Sequence, residues 1–177
     1  EPGERRLNSS PVPRSGGVAV FIGLQFACAV VFLYPWVPAF SGGLTLQWWQ
    51  TFLAASSVIV FLGLFDDAFD LHWSVKVLGQ LAAATLMFSN GVSVGSLAGY
   101  ELPLFLDAAL TLFWFLALTN AFNLIDGLDG LAAGLAFLSS LGLAGAAMLM
   151  EAPSDTLVLL ALAGATLAFL RFNFHPA

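Results

Sequence analysis

LFLDAALTLFWFLALTNAFNLIDGLDGLAAGLAFLSSLGLAGAAMLM, residues 104–150, decides the fold. It holds two apolar runs, 104–124 and 131–150, parted by a short break rich in Gly and Asp. A helix of about 20 apolar residues is long enough to cross the hydrocarbon core of a bilayer. Both runs are apolar on all sides, so neither reads as an amphipathic surface helix. Working outward, residues 17–37, 48–65 and 156–170 repeat the pattern. A sixth stretch, 75–90, carries Lys76 and Gln80 in its first turns and is otherwise apolar. The expected architecture is all-α, a polytopic integral membrane protein with six transmembrane helices.

Composition agrees. Hydrophobic residues make up 59% of the 177 residues and charged ones 9%, and the mean hydropathy is +0.91. A soluble domain carries about 25% charged residues, so there is too little polar surface here to coat a water-soluble globule. Five Lys+Arg against eleven Asp+Glu leave no basic patch, which excludes a nucleic-acid partner. Cys28 is the single cysteine, so no disulfide framework exists. The chain opens on Glu1 and closes just after an apolar stretch, and it reads as an internal piece of a longer protein.

The basic residues orient the spans. Arg5, Arg6 and Arg14 precede the first, Lys76 lies between the second and third, and Arg171 follows the sixth. The alternate loops, 38–47, 91–103 and 151–155, contain no Lys or Arg. Basic loops face the cytoplasm, so both ends of the piece are expected inside. Trp36, Trp48 and Trp49 are expected at the outer interface as aromatic-belt residues. Segment 91–103, with Gly91, Gly95 and Gly99, reads as a small outer β-hairpin. Gly130 and Gly134 form a small-xxx-small pair suited to close helix packing.

Two polar clusters stand out on the side assigned to the cytoplasm. The second apolar run ends in Asp66-Asp67-Ala68-Phe69-Asp70. Carboxylates at a helix C-terminus oppose the macrodipole, and neighbouring carboxylates repel each other. Capping of the next helix by Asp70 or Ser74 would explain one acid, but not Asp66 and Asp67. Lys76, the only lysine, follows close by and suits a phosphate-binding role; an interfacial lysine that sets topology is the plainer alternative. The other cluster is Asn120, Asn123, Asp126 and Asp129, one polar group every three residues. Its glycines predict a break that bends the stripe into a cup with open backbone N–H groups. Structural alternatives are N-capping by the two acids and helix–helix hydrogen bonding by the asparagines. Acids, amide oxygens and a lysine at one membrane boundary suit Mg²⁺ bridging a phosphate. That location fits a reaction joining a water-soluble phosphorylated donor to a lipid acceptor. A cation-coupled transporter would instead place its acids near the bilayer midplane, on a pair of matching broken helices.

The stretch 120–132, Asn-Ala-Phe-Asn-Leu-Ile-Asp-Gly-Leu-Asp-Gly-Leu-Ala, resembles the signature of the polyprenyl-phosphate N-acetylhexosamine-1-phosphate transferases, of glycosyltransferase family 4 type. Three further stretches fit in order: 11–17, then Gly63-Leu64-Phe65-Asp66-Asp67 running to Lys76 and Gln80, then 172–177. The resemblance implies one transmembrane transferase domain over 1–177, part of a fold of ten or eleven helices and lacking its first helix and C-terminal part. It implies transfer of a sugar-1-phosphate, GlcNAc-1-phosphate above others, from a UDP-sugar to undecaprenyl phosphate with release of UMP. It implies dependence on Mg²⁺, for which Mn²⁺ can substitute, and frequent homodimers. The expected setting is the inner (plasma) membrane, multi-pass, with the active site facing the cytoplasm. The phospho-MurNAc-pentapeptide transferase branch, which usually has Thr where Ile125 stands, is the second reading. By position, Asp66 matches the proposed base and Asp67 its essential neighbour, the catalytic pair. Lys76 matches a diphosphate contact, Asn123 a Mg²⁺ ligand, and Asp126 and Asp129 nucleotide-side contacts, with Asn120 in the same substrate-binding motif. The family's basic loop often has His where Asn8 stands. Its Met-Gly-Asp motif, with a further metal-binding Asp, is expected just beyond Ala177.

Overall fold

The computed structural model describes residues 16–33 and 45–174. The element order is α1 (Gly16–Leu33), α2 (Leu46–Phe69), α3 (Trp73–Ser89), β1 (Ser96–Leu97), β2 (Tyr100–Glu101), α4 (Leu104–Ile125), α5 (Leu131–Leu149) and α6 (Pro153–Asn173). Asn8, Arg5, Arg6, Arg14, Trp36 and the motif residues before Gly16 and after Phe174 lie outside the described residues.

Every expected apolar run is a helix, but among the described residues five helices, not the six expected, are long and apolar enough to count as spans. Helices α1, α2, α4, α5 and α6 are long and apolar enough to cross a membrane. Helix α3 has 17 residues, which is about 26 Å and short of the roughly 30 Å core. It still runs antiparallel along α2. Its start meets the end of α2 through Lys76 and Asp66, and its C-cap Asn90 accepts a hydrogen bond from Gln47, at the start of α2, at 3.3 Å.

Neighbouring helices form an arc. Helix α5 packs on α6, α6 on α1, α1 on α2, α2 on α3 and α3 on α4. Helices α4 and α5 are joined by residues 126–130 yet touch little. The arc therefore reads as two three-helix blocks, α2–α3–α4 and α5–α6–α1, joined at the α1–α2 contact and at the 126–130 loop.

Close packing uses small side chains, because lipid gives no hydrophobic drive between helices. The buried residues of α5 are Ala133, Ser140, Ala144 and Ala147. Those of α6 are Ser154, Thr156, Ala163 and Thr166. The small-residue seam thus runs along these positions, and of the glycine pair only Gly130 joins it. A Cβ at Gly134 would meet nothing within 4 Å, whereas Gly130 does lie close against the end of α6. At Gly79 a Cβ would fall 2.9 Å from Leu62, so α2 and α3 approach tightly there. The outward faces carry exposed Phe26, Phe61, Phe113 and Leu138, which suits contact with lipid.

Hydroxyls inside the spans are satisfied locally, as a medium without water demands. Thr119, Thr156 and Thr166 each donate to a carbonyl one turn back. Among the described residues, no buried side-chain polar atom lacks a partner. A polar link crosses the α1–α2 interface: Gln25 donates to Ser56 Oγ at 3.0 Å and accepts from Trp49 Nε1 at 3.0 Å. Trp49 is therefore turned onto α1 and stacks on Phe32. Its neighbour Trp48 stacks on Phe52.

The expected hairpin is present, as two-residue strands in antiparallel register, Ser96 with Glu101 and Leu97 with Tyr100. Its turn residues Ala98 and Gly99 have φ of 51° and 84°, the pairing that twists with the strands. Asp107 Oδ1 accepts from Gly95 N–H at 2.8 Å, and Thr111 Oγ1 accepts from Val94 N–H at 3.0 Å. These bonds tie the hairpin to the first turns of α4.

Candidate active site

Hydrogen bonds between elements fix which residues share an end of the bundle. The α2–α3 junction holds Asp66, Asp67 and Lys76. Asn120, near the end of α4, donates to Gln80 Oε1 in the first half of α3 at 2.8 Å. Gly130, at the start of α5, donates to Asn173 Oδ1 at the end of α6 at 3.0 Å. The ends of α2, α4 and α6 and the starts of α3 and α5 therefore lie together. Asp66, Asp67, Lys76, Asn120, Asn123, Asp126 and Asp129 all belong to this end. The two described cations, Lys76 and Arg171, belong to it as well. The hairpin, Gln47 and Asn90 mark the opposite end.

Helix α2 runs four residues past the expected boundary and takes Asp66 and Asp67 into its last turn. Asp70 ends it in the left-handed region, with φ 51° and ψ 66°. Asp66 Oδ1 accepts from Leu71 N–H at 3.0 Å, and Oδ2 accepts from Lys76 Nζ at 2.8 Å. Asp66 thus straps the turn and holds the lysine. The N-cap of α3 is His72, whose ring accepts from Ser74 N–H, not Asp70 or Ser74. An acid in the last turn of α2 and a cation in the first turn of α3 each oppose their own helix dipole. Their mutual pairing offsets part of that cost. A junction that breaks both local rules is the kind of place where function overrides stability. The exposed rings of Phe65, Phe69 and Trp73 surround it, with Phe65 stacked on Phe69.

The break after α4 forms as the glycines predict. Asp126 is the C-cap of α4, and α5 begins after Gly130, its N-cap, with φ 73° and no side-chain cap bond. Neither acid therefore caps α5 from the N-cap position. Asp126 is open on one side, while the protein on the other strips enough hydration to push its carboxyl above the usual range. Asn120 donates both to Gln80 and to the Leu116 carbonyl, so its amide hydrogens tie α4 to α3 and itself. Asn123, one turn further on, is exposed.

Among the described residues, no three His, Cys, Asp or Glu gather into a metal-binding group. A closed protein cage for a cation is therefore not what these residues build. The donor set fits Mg²⁺ in its other habit, one or two carboxylates and an amide oxygen completed by phosphates and water. Elsewhere, a cavity of about 280 Å³ is lined by Val92, Val94, Thr111, Trp114, Phe115 and Leu118. It lies toward the hairpin end and includes none of the candidate residues.

Comparison with known proteins follows the same residues. The family model described as glycosyl transferase family 4 matches residues 49–177. The chain belongs to this family. It is 34% identical, over its whole length, to a probable undecaprenyl-phosphate N-acetylglucosaminyl 1-phosphate transferase of Bacillus subtilis, of which it covers 48%. It is 37% identical over 99% of its length to a decaprenyl-phosphate N-acetylglucosaminephosphotransferase of Mycobacterium tuberculosis, covering 47%. It is 32% identical over 98% of its length to a phospho-N-acetylmuramoyl-pentapeptide-transferase of Desulforudis audaxviator, covering 58%. The chain thus spans about half the length of the curated relatives it matches. No solved structure matches it.

One residue of this end escaped the reading of the sequence as a site residue. Asn173 lies in the stretch 172–177, and its link to Gly130 crosses 43 positions. No local spacing announces such a pair.

Proposed function

We propose that this chain forms part of a transferase that moves a sugar-1-phosphate, GlcNAc-1-phosphate in the first instance, from a UDP-sugar to undecaprenyl phosphate. The carrying observation is the gathering of Asp66, Asp67, Lys76, Asn123, Asp126 and Asp129 at one end of a membrane bundle in this family. The setting is the inner membrane, with that end toward the cytoplasm, where a UDP-sugar and a lipid phosphate can meet. The location of Lys76 and Arg171 at this end supports that orientation.

In the reaction, a phosphate oxygen of the lipid forms a bond to the β-phosphorus of the UDP-sugar while the bond from that phosphorus to UMP breaks. Catalysis is by positioning and charge neutralisation. Lys76 meets the diphosphate. Asp66 holds Lys76, and we assign the acceptor's proton to the Asp66–Asp67 pair. Asp126 and Asp129 meet the nucleotide side, and Asn120 keeps α4, which leads into their loop, in register with α3. Asn123 would help hold Mg²⁺. The chemistry supplied by that ion when bound is neutralisation of the diphosphate and of the departing UMP.

The test is transfer of labelled GlcNAc-1-phosphate by membranes containing this chain within a protein of the relatives' full length. UDP-GlcNAc, undecaprenyl phosphate and Mg²⁺ should yield lipid-linked product and one UMP per turnover, abolished by a chelator. Turnover with UDP-MurNAc-pentapeptide in place of UDP-GlcNAc would move the chain to the other branch. No transfer from either donor would sink the reading.

A further inference from the structure

Loop 126–130 carries Asp126 and Asp129 across the gap between the two three-helix blocks. Little packing between α4 and α5 holds it. Its last residue, Gly130, is buried in the left-handed region and offers no side chain to cap α5. The N–H of Gly130 is instead taken by the side-chain oxygen of Asn173, half-buried in the last turn of α6. The fit is close on both sides. A Cβ at Gly130 would stand 3.4 Å from the Asn173 carbonyl oxygen and 3.5 Å from the Phe174 ring. A left-handed residue without a side chain and a side-chain acceptor from another helix form one fastening.

From this geometry we infer that Asn173 is a positioning residue, which fixes loop 126–130 to the end of α6 and so sets where Asp126 and Asp129 stand. The block α5–α6–α1 brings Asn173, and the block α2–α3–α4 brings Lys76 and Asp66. The Asn173–Gly130 bond thus fastens the end of the loop that carries the nucleotide-side acids to the end of α6. The role rests on the transferase reading, but the fastening does not.

The experiment uses the chain within a protein of the relatives' full length and reads two quantities. Amide exchange over residues 126–134 reports the fastening. The separate kcat and KM for UDP-GlcNAc report its consequence. Asn173→Ala should speed exchange about two- to twelvefold, the loss of one neutral hydrogen bond. It should also lower kcat by about tenfold or more, since small misplacements of positioned groups are costly. Asn173→Asp keeps the acceptor oxygen and exchanges the amide hydrogens for a negative charge, so it should restore exchange fully and kcat to within a few-fold. Gly130→Ala should match Asn173→Ala and add little to it. Unchanged exchange in Asn173→Ala overturns the fastening. If Asn173→Asp is as inactive as Asn173→Ala despite normal exchange, the amide hydrogens serve another purpose and the positioning role falls. If even the parent protein transfers no sugar-phosphate, the proposed function fails, while exchange still decides the fastening.

Discussion

Replacing Asp66 by Asn should separate stability from activity. The carboxylate accepts from Lys76 Nζ at 2.8 Å and from Leu71 N–H at 3.0 Å. The lysine and aspartate side chains are 32% and 28% exposed. A pair this open contributes about 0.2–1 kcal/mol. Removing a negative charge from the last turn of α2 returns about 0.3–1 kcal/mol of dipole cost. The two nearly cancel. Asn also keeps an oxygen for Leu71 N–H. Asp66→Ala removes that acceptor and should cost a further 0.5–1.5 kcal/mol, roughly. Unfolding in detergent should therefore rank the parent and Asp66→Asn together, with Asp66→Ala about 2–4 °C lower per kcal/mol lost. Turnover should tell a different story. Without its carboxylate partner Lys76 swings away from the diphosphate, and Asp66→Asn should lose about 100-fold. Near-parental turnover by Asp66→Asn would refute the reasoning about Lys76. Equal stability of the Asn and Ala variants would refute the strap on Leu71.

Asp67→Asn should cost about 10²–10⁴-fold in turnover, the range of a lost general base, with expression unchanged on an immunoblot. Asn123→Ala should raise the Mg²⁺ concentration for half-maximal rate, and Asn123→Asp should do so less, as a metal titration of initial rates would show. Asp126 has a raised pKa in the fold, so its stabilising share is complete below the ordinary value of 3.8 and is lost as pH rises through the folded value. Asp126→Asn should therefore raise the unfolding midpoint at pH 7 and lose that advantage on acidification below that ordinary value.

Much of this fold could be read from hydropathy, because lipid-facing helices must be apolar all round and backbone polar groups must close within the segment. The ends were harder. Asp66 and Asp67 look like a stop signal, yet the helix continues through them until Asp70 turns left-handed. Helix α3 has the composition of a span but not the length. Nothing in the spacing of the tryptophans at the start of α2 announces that Gln25 takes the Trp49 N–H. At the site, the acids and the lysine stood out because charge is scarce. The Asn173–Gly130 bond did not, since it depends on which helices become neighbours. Of the glycine pair, Gly130 packs on α6 as expected and Gly134 meets nothing, for the same reason. Helical spacing shows that two residues share a face, not which face meets a partner.

The Gln25 link also bears on how such a chain enters a membrane. Gln25 sits midway along α1, so α1 inserted alone would hold a bare amide in hydrocarbon, at a cost of roughly 2–7 kcal/mol. Ser56 and Trp49 arrive only with α2. Until α2 emerges from the insertion machinery, α1 is an incomplete guest in the bilayer. Once α2 docks, the shared amide fixes how far the two can slide past each other. Helices α1 and α2 are therefore best released as a pair, a constraint written into a single side chain.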